Sequence, residues 1–161
     1  MVPDPDANFF RPAREAMLAD QLLSRHITSA RVLHAMAAIP RHRFVPAALR
    51  AQAYDDCALP SADGQTISQP YIVALMTQLL DIQPAHRILE IGTGTGYQTA
   101  ILATLADRGR IFTIERIAHL AVAAQELLTA LGLTNISYHT GDGSLGWPPD
   151  EGTGDRSESV V

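Results

Sequence analysis

Apolar residues recur at three- and four-residue intervals through the first half of the chain, then give way to short unbroken runs separated by glycine. Residues 1–11 read as a loose tail, and Pro12 stands where a helix can begin. Met17, Leu18, Leu22 and Leu23 then fall on one helical face. Ser29 suits the N-cap of a second helix with Val32, Leu33, Met36 and Ile39 as its stripe, stopped by Pro40. A short helical piece is expected near Pro46–Ala53, followed by a turn-rich loop through Asp55, Pro60 and Gly64. A third helix spans about Gln69–Leu80, with Ile72, Val73, Met76, Leu79 and Leu80 inward.

The rhythm changes at Pro84. Arg87–Ile91 reads as a strand ended by Gly92-Thr93-Gly94-Thr95-Gly96, a helix runs to Ala106, and Ile111–Ile114 is the next strand. A helix over 117–131, with Gly132 as its stop, leads to a third strand over 136–139. Strand–helix–strand–helix–strand with short connections is the βαβαβ half of a doubly wound parallel sheet, so the fold class is α/β. The expected organisation is one partial domain: a helical extension over 1–83, the βαβαβ half over 84–147, and an atypical tail over 148–161. Pro, Gly, Ser and acidic residues dominate that tail, a composition that builds neither a strand nor a helix of useful length.

Charge and composition narrow the function. A net charge of −5 argues against a nucleic-acid partner, which requires a basic footprint. Arg41-His42-Arg43 is the densest basic stretch and reads as a solvated turn. No eighteen apolar residues run together, so no membrane span is expected. The start of the chain lacks the basic and apolar regions of a signal peptide. Cys57 is the lone cysteine, and a cytoplasmic location fits both features. The six histidines show neither i,i+4 spacing nor a cysteine partner, so no metal site is expected.

Three features carry chemistry, each at the end of a predicted strand. The glycine loop lets backbone approach a ligand and aims helix N–H groups at it. Its spacing fails the dinucleotide fingerprint, because Tyr97 or Thr99 stands where the third glycine belongs. Glu90, Gly92, Gly94 and Gly96 instead form Glu-x-Gly-x-Gly-x-Gly, the form typical of S-adenosylmethionine methyltransferases. Glu115, ending the second strand, can accept hydrogen bonds from both hydroxyls of a ribose. Asp142, with Gly143, can accept one from an adenine amino group, or form a plain Asp-Gly turn. Ser68 lies just before the third helix, where the pattern favours an N-cap over catalysis.

Longer stretches resemble protein-L-isoaspartate O-methyltransferases. They are Pro40-Arg41-His42-Arg43-Phe44-Val45-Pro46, Ala53-Tyr54-Asp55-Asp56, Ala58-Leu59-Pro60 and Gln65-Thr66-Ile67-Ser68-Gln69-Pro70. The run from Leu89 to Ala100, Ile114-Glu115-Arg116, Gly141-Asp142-Gly143 and Gly146-Trp147-Pro148 complete the series. The resemblance covers about residues 14–150. It implies a Rossmann-like methyltransferase sheet, here with the first three parallel strands and an N-terminal helical extension on the substrate side. By resemblance Ser68 is the active-site serine, and Glu90, Gly92, Gly94, Gly96, Glu115, Asp142 and Gly143 hold S-adenosylmethionine. The implied reaction methylates the α-carboxylate of L-isoaspartyl residues in damaged proteins, and the ester closes to a succinimide that reopens partly as aspartate.

Family members continue beyond Gly-Trp-Pro with a fourth strand and more, so the resemblance implies a carboxy-terminally truncated chain. Its first strand would keep a free edge, and its own activity is expected to be low or absent. An inactive fragment acting as a binding module, and a methyltransferase of another substrate class, are the alternatives.

Overall fold

The computed structural model describes residues 6–149 and 159–160. The chain forms two compact units divided between Ile82 and Gln83.

The first unit is mainly helical. Helix α1 spans Ala7–Ala16 and encloses Pro12, so Pro12 does not open the helix and residues 7–11 are not a loose tail. A π-helical stretch, Met17–Leu22, continues it, and a 3-10 turn, Leu23–Arg25, ends at left-handed His26. The wider π turn changes which residues share a face. Met17 and Leu22, five apart, are fully buried, whereas Leu23, expected inward, is exposed. Helix α2, Ala30–Ala38, begins as expected at Ser29, whose hydroxyl accepts from Val32 N at 3.4 Å.

Two sequence expectations fail after Pro40. Arg41-His42-Arg43 forms a 3-10 turn in which Arg41 and His42 are buried, not solvated. The Arg41 guanidinium donates to Ala53 O at 2.6 Å and to Ser68 O at 2.8 Å. The His42 ring stacks on Phe10 and meets the Tyr54 hydroxyl at 3.0 Å. A further 3-10 piece, Ala47–Gln52, precedes the segment expected to be a turn-rich loop without strands of its own. That loop contains β1, Leu59–Pro60, paired antiparallel with β2, Thr66–Ile67. Asp63 and Gly64, both at positive φ, make the turn between them.

Helix α3 spans Pro70–Leu79, with proline at its first position where no N–H is needed. It buries Val73, Ala74 and Thr77 and exposes Ile72, Met76 and Leu79, so the expected inward face is rotated. Gln78 Oε1 ties α3 to the start of α2, accepting from Thr28 N and Ser29 N.

The second unit follows the expected βαβαβ order: β3 Arg87–Ile91, α4 Tyr97–Leu105, β4 Arg110–Glu115, α5 Ala118–Ala130 and β5 Ile136–Thr140. All neighbouring strands are parallel, in the order β5-β4-β3-β6, where β6 is Ser159–Val160. β6 pairs with Ile88 and Leu89, so at these two positions the first strand's edge is not free, while a two-residue strand remains short of the useful length that the tail's composition was expected not to reach.

Register sorts the sheet into two faces, because successive side chains point to opposite sides. Ile88, Ile111 and Ile136 form one row, and Glu90, Thr113 and Tyr138 form the next row on the same face. Helix α4 covers that face, as the bond from Thr99 to Glu90 shows. Leu89, Phe112 and Ile114 lie on the opposite face, and Trp147 packs against them with its ring 5.0 Å from that of Phe112. Among the described residues, no helix is long and apolar enough to cross a membrane.

Candidate functional site

The carboxyl ends of β3, β4 and β5 bring together most of the predicted site residues of the second unit. At the end of β3, Gly92, Gly94 and Gly96 take φ values of +92°, +54° and +87°, a region costly for residues with a Cβ. A Cβ at Gly92 or Gly94 would meet no atom beyond its chain neighbours within 4 Å, so space is open where these side chains would stand. Gly96 has a different reason. A Cβ there would lie 3.0 Å from Leu128 Cδ1 on α5, so this glycine lets α4 start close beside α5.

Glu115 ends β4 and is 7% exposed. Its Oε2 accepts from Gly94 N and its Oε1 from Ile117 N, both at 2.9 Å. The carboxylate therefore anchors the middle of the glycine loop to the strand next door, and each oxygen keeps a second lone pair for another donor. Ile114 O adds two more ties to the loop, accepting from Gly92 N at 2.8 Å and Thr93 N at 3.3 Å.

Glu90 has partners of which its motif gives no sign. It is 3% exposed and accepts from Thr99 Oγ1 on α4 and Thr113 Oγ1 on β4, each at 2.6 Å to Oε2. Thr113 Oγ1 in turn lies 2.7 Å from Thr93 Oγ1 in the loop. Burial pushes the Glu90 carboxyl up to about 7, against the opposing effect of the two threonine bonds and with the like charge of Glu115 adding to it. Tyr138 is pushed up to about 12, chiefly by burial and then by the charge of Glu90.

Asp142 follows β5 and is exposed. Its Oδ1 accepts from Ser144 N at 2.9 Å, so it caps a 3-10 turn over Gly143–Leu145. Hydrogen bonds from Ser144 hold its carboxyl below the ordinary range. Gly143 packs against Ile91 so closely that a Cβ would sit 2.3 Å from Ile91 Cγ2. Gly141 N donates to Glu115 O at 3.0 Å, which brings this turn alongside the end of β4.

Ser68 belongs to the first unit. It is exposed, and the N-cap position of α3 falls on Gln69, so the expected capping role is not the one observed. The fixed point of its segment is the backbone bond from Arg41. Sequence reading also missed Thr93, Thr99, Thr113 and Tyr138. A polar residue inside the apolar strand Ile-Phe-Thr-Ile was the available signal for Thr113.

Residues 13–151 match the model of a family described as protein-L-isoaspartate(D-aspartate) O-methyltransferase. The chain belongs to that family. It is 55% identical over 141 residues to protein-L-isoaspartate O-methyltransferase 1 of Syntrophobacter fumaroxidans, covering 88% of this chain and 65% of the relative. A protein-L-isoaspartate O-methyltransferase of Geobacter metallireducens is 51% identical over 138 residues, covering 86% of this chain and 63% of the relative. The chain therefore spans slightly under two thirds of the length of these relatives. Among solved structures, a protein-L-isoaspartate O-methyltransferase superposes with a TM-score of 0.74 at 28% identity, over 84% of this chain and 44% of the other. One from Plasmodium falciparum, solved with S-adenosyl-L-homocysteine, shares the fold with a TM-score of 0.66 at 22% identity, over 78% of this chain and 62% of the other. Membership fits the α/β fold and the glycine loop with carboxylates on either side.

Proposed function

We propose that the chain is the cofactor-binding and substrate-side portion of a protein-L-isoaspartate O-methyltransferase, using S-adenosylmethionine and acting on L-isoaspartyl residues of damaged proteins. The observation that carries this is the glycine loop, open at Gly92 and Gly94 and tied at Gly94 N to a carboxylate with lone pairs to spare. Family membership supplies the substrate class. A free, exposed Cys57 suits work in the reducing cytoplasm.

The donor set fits the cofactor. Gly92, Gly94 and Gly96 would shape its cradle, Glu115 would take ribose hydroxyls on its remaining lone pairs, and Asp142 would accept from the adenine amino group. When bound, S-adenosylmethionine supplies a methyl group on a cationic sulfur. The acceptor carboxylate, with an ordinary pKa near 4, is already ionised at neutral pH, so the chain needs no general base. Its residues have to orient and desolvate two partners of opposite charge. Ser68, exposed and held by its backbone to Arg41, would orient one acceptor oxygen through its hydroxyl.

Calorimetric titration with S-adenosylhomocysteine tests the cofactor site, and transfer of labelled methyl to an isoaspartyl peptide tests the reaction. In a chain extended to the full length of its relatives, Ser68→Ala is expected to slow transfer while leaving cofactor affinity unchanged. Absence of saturable binding overturns the cofactor site, and a Ser68→Ala rate equal to the parent's overturns the orienting role.

A further inference from the structure

The glycine loop has two arms, one leaving β3 and one entering α4, and a single buried carboxyl is bonded toward both. Thr99, in the first turn of α4, donates to Glu90 Oε2. Thr113 donates to the same oxygen, which uses its only hydroxyl proton. The 2.7 Å contact between Thr93 and Thr113 must then run from Thr93 to Thr113, so the outgoing arm is bound through a relay of two hydroxyls. Gly96 N donates to Thr93 O at 2.8 Å and closes the loop between these two anchors.

The other carboxyl oxygen is bare. Glu90 Oε1 is buried without a hydrogen-bond partner among the described residues, and so is the Tyr138 hydroxyl, two strands away in the same register row. A buried oxygen left bare is costly as part of a carboxylate and much less so as part of a neutral acid. Since Oε2 already accepts two hydroxyls, a proton on Oε1 leaves both of those bonds in place. The titratable groups facing Glu90 are Glu115 at the end of β4 and Tyr138 on β5, while α4 and the loop present the threonine hydroxyls. Glu115 is the charged neighbour at neutral pH and favours the protonated carboxyl, whereas Tyr138, pushed up to about 12, is neutral there.

We propose that Glu90 is a positioning residue that clamps both arms of the glycine loop, and that occupation of the loop by a cationic ligand is linked to loss of a proton from its bare oxygen. In the empty protein the neutral acid minimises repulsion with Glu115. A cation on the loop favours the carboxylate, which strengthens both threonine bonds and tightens the clamp. The ligand half of this inference rests on the cofactor reading above; the clamp does not.

The test is calorimetry of S-adenosylmethionine binding to the parent chain and to Glu90→Gln, in two buffers of different ionisation enthalpy. With the parent carboxyl near half-protonation at neutral pH, binding should release about half a proton there, and the variant none. Equal proton release by both overturns the linkage. Failure of both to bind would count against the cofactor reading instead, and the clamp is then decided without ligand. Burial raises the folded carboxyl from 4.5 to about 7, so its stabilising contribution is complete below 4.5 and lost as pH rises through about 7. The parent's Tm should therefore fall relative to Glu90→Gln from about pH 5 to about pH 8, and parallel pH profiles overturn the inference. Should Glu90→Gln fail to fold, NMR of the parent chain with labelled glutamate suffices. The amide signals of Thr93, Gly94 and Gly96 should titrate with the same near-neutral midpoint as one glutamate carboxyl. Loop amides that stay flat through that titration refute the clamp.

Discussion

Gly94 and Gly96 are both left-handed, yet they should fail in opposite ways when given a methyl group. In Gly96→Ala the left-handed conformation costs ~1–2 kcal/mol. The new Cβ would lie 3.0 Å from Cδ1 and 3.3 Å from Cγ of Leu128, a side chain with no exposed surface. Overpacking of this kind costs ~1–3 kcal/mol, and the stiffer unfolded chain returns ~0.4–1 kcal/mol. The net loss is about 1–4.6 kcal/mol. Gly94→Ala meets no atom within 4 Å, so only the backbone cost remains, and the net loss is about 1 kcal/mol or less. A difference of about 2 kcal/mol, at an m-value of about 2 kcal/mol/M, separates the urea midpoints by about 1 M. Trp147, the single tryptophan, packs against Phe112 on the sheet and reports unfolding of the second unit by fluorescence. Cofactor affinity should reverse the order. The Gly94 methyl projects into the open side of the loop and should weaken binding at least about tenfold, or ~1.4 kcal/mol, while Gly96→Ala below its melting range stays within a few-fold. Equal urea midpoints would refute the close packing of α4 on α5, and unchanged affinity in Gly94→Ala would refute the placement of the ligand.

Two further substitutions test the supports of the site. Glu115→Ala removes the acceptor for Gly94 N and Ile117 N, and should cost roughly 1.5–3 kcal/mol in cofactor affinity as well as destabilising the second unit, read by calorimetry and urea melts. Arg41→Met leaves the carbonyls of Ala53 and Ser68 without their guanidinium donor, for a loss of about 2–5 kcal/mol in a thermal melt. Arg41→Lys should recover little of it, because a compact ammonium cannot span two carbonyls as the planar fork does.

The parts of the chain that were legible in its sequence are those whose determinants are local. Strand Arg87–Ile91 was placed at its observed ends, and the other two main strands within a residue or so, because short apolar runs were bounded by glycine and turn residues. Ser29 capped α2 as read, since a cap depends on residues three apart. Ser68 did not cap α3, because Pro70 moves the helix start and the residue before a proline is held extended: Gln69 has φ −56° and ψ 150°. The inward face of α3 was misread for a related reason. Ile72, Val73, Ala74, Met76 and Leu79 are apolar almost all round the helix, so periodicity cannot choose a side, and packing chose Val73, Ala74 and Thr77.

Two buried polar groups show a limit of local sequence that bears on how the site works. Arg41 was read as solvated because charge predicts exposure, yet its burial is made tolerable by carbonyls 12 and 27 positions along the chain. Glu90 is offered by its motif as a cofactor contact, and the motif gives no sign of the partners it has here, hydroxyls 9 and 23 positions away. In both cases the local sequence announced that a polar group mattered and could not say to what it was bound. That information lies in the register: with Glu90 opposite Thr113 and Thr113 opposite Tyr138, two buried residues and one half-buried tyrosine become a single polar row. The motif therefore has two parts. Gly94 has open space where a Cβ would stand and is tied to Glu115, while the buried Glu90 and its threonines hold the two ends of the loop.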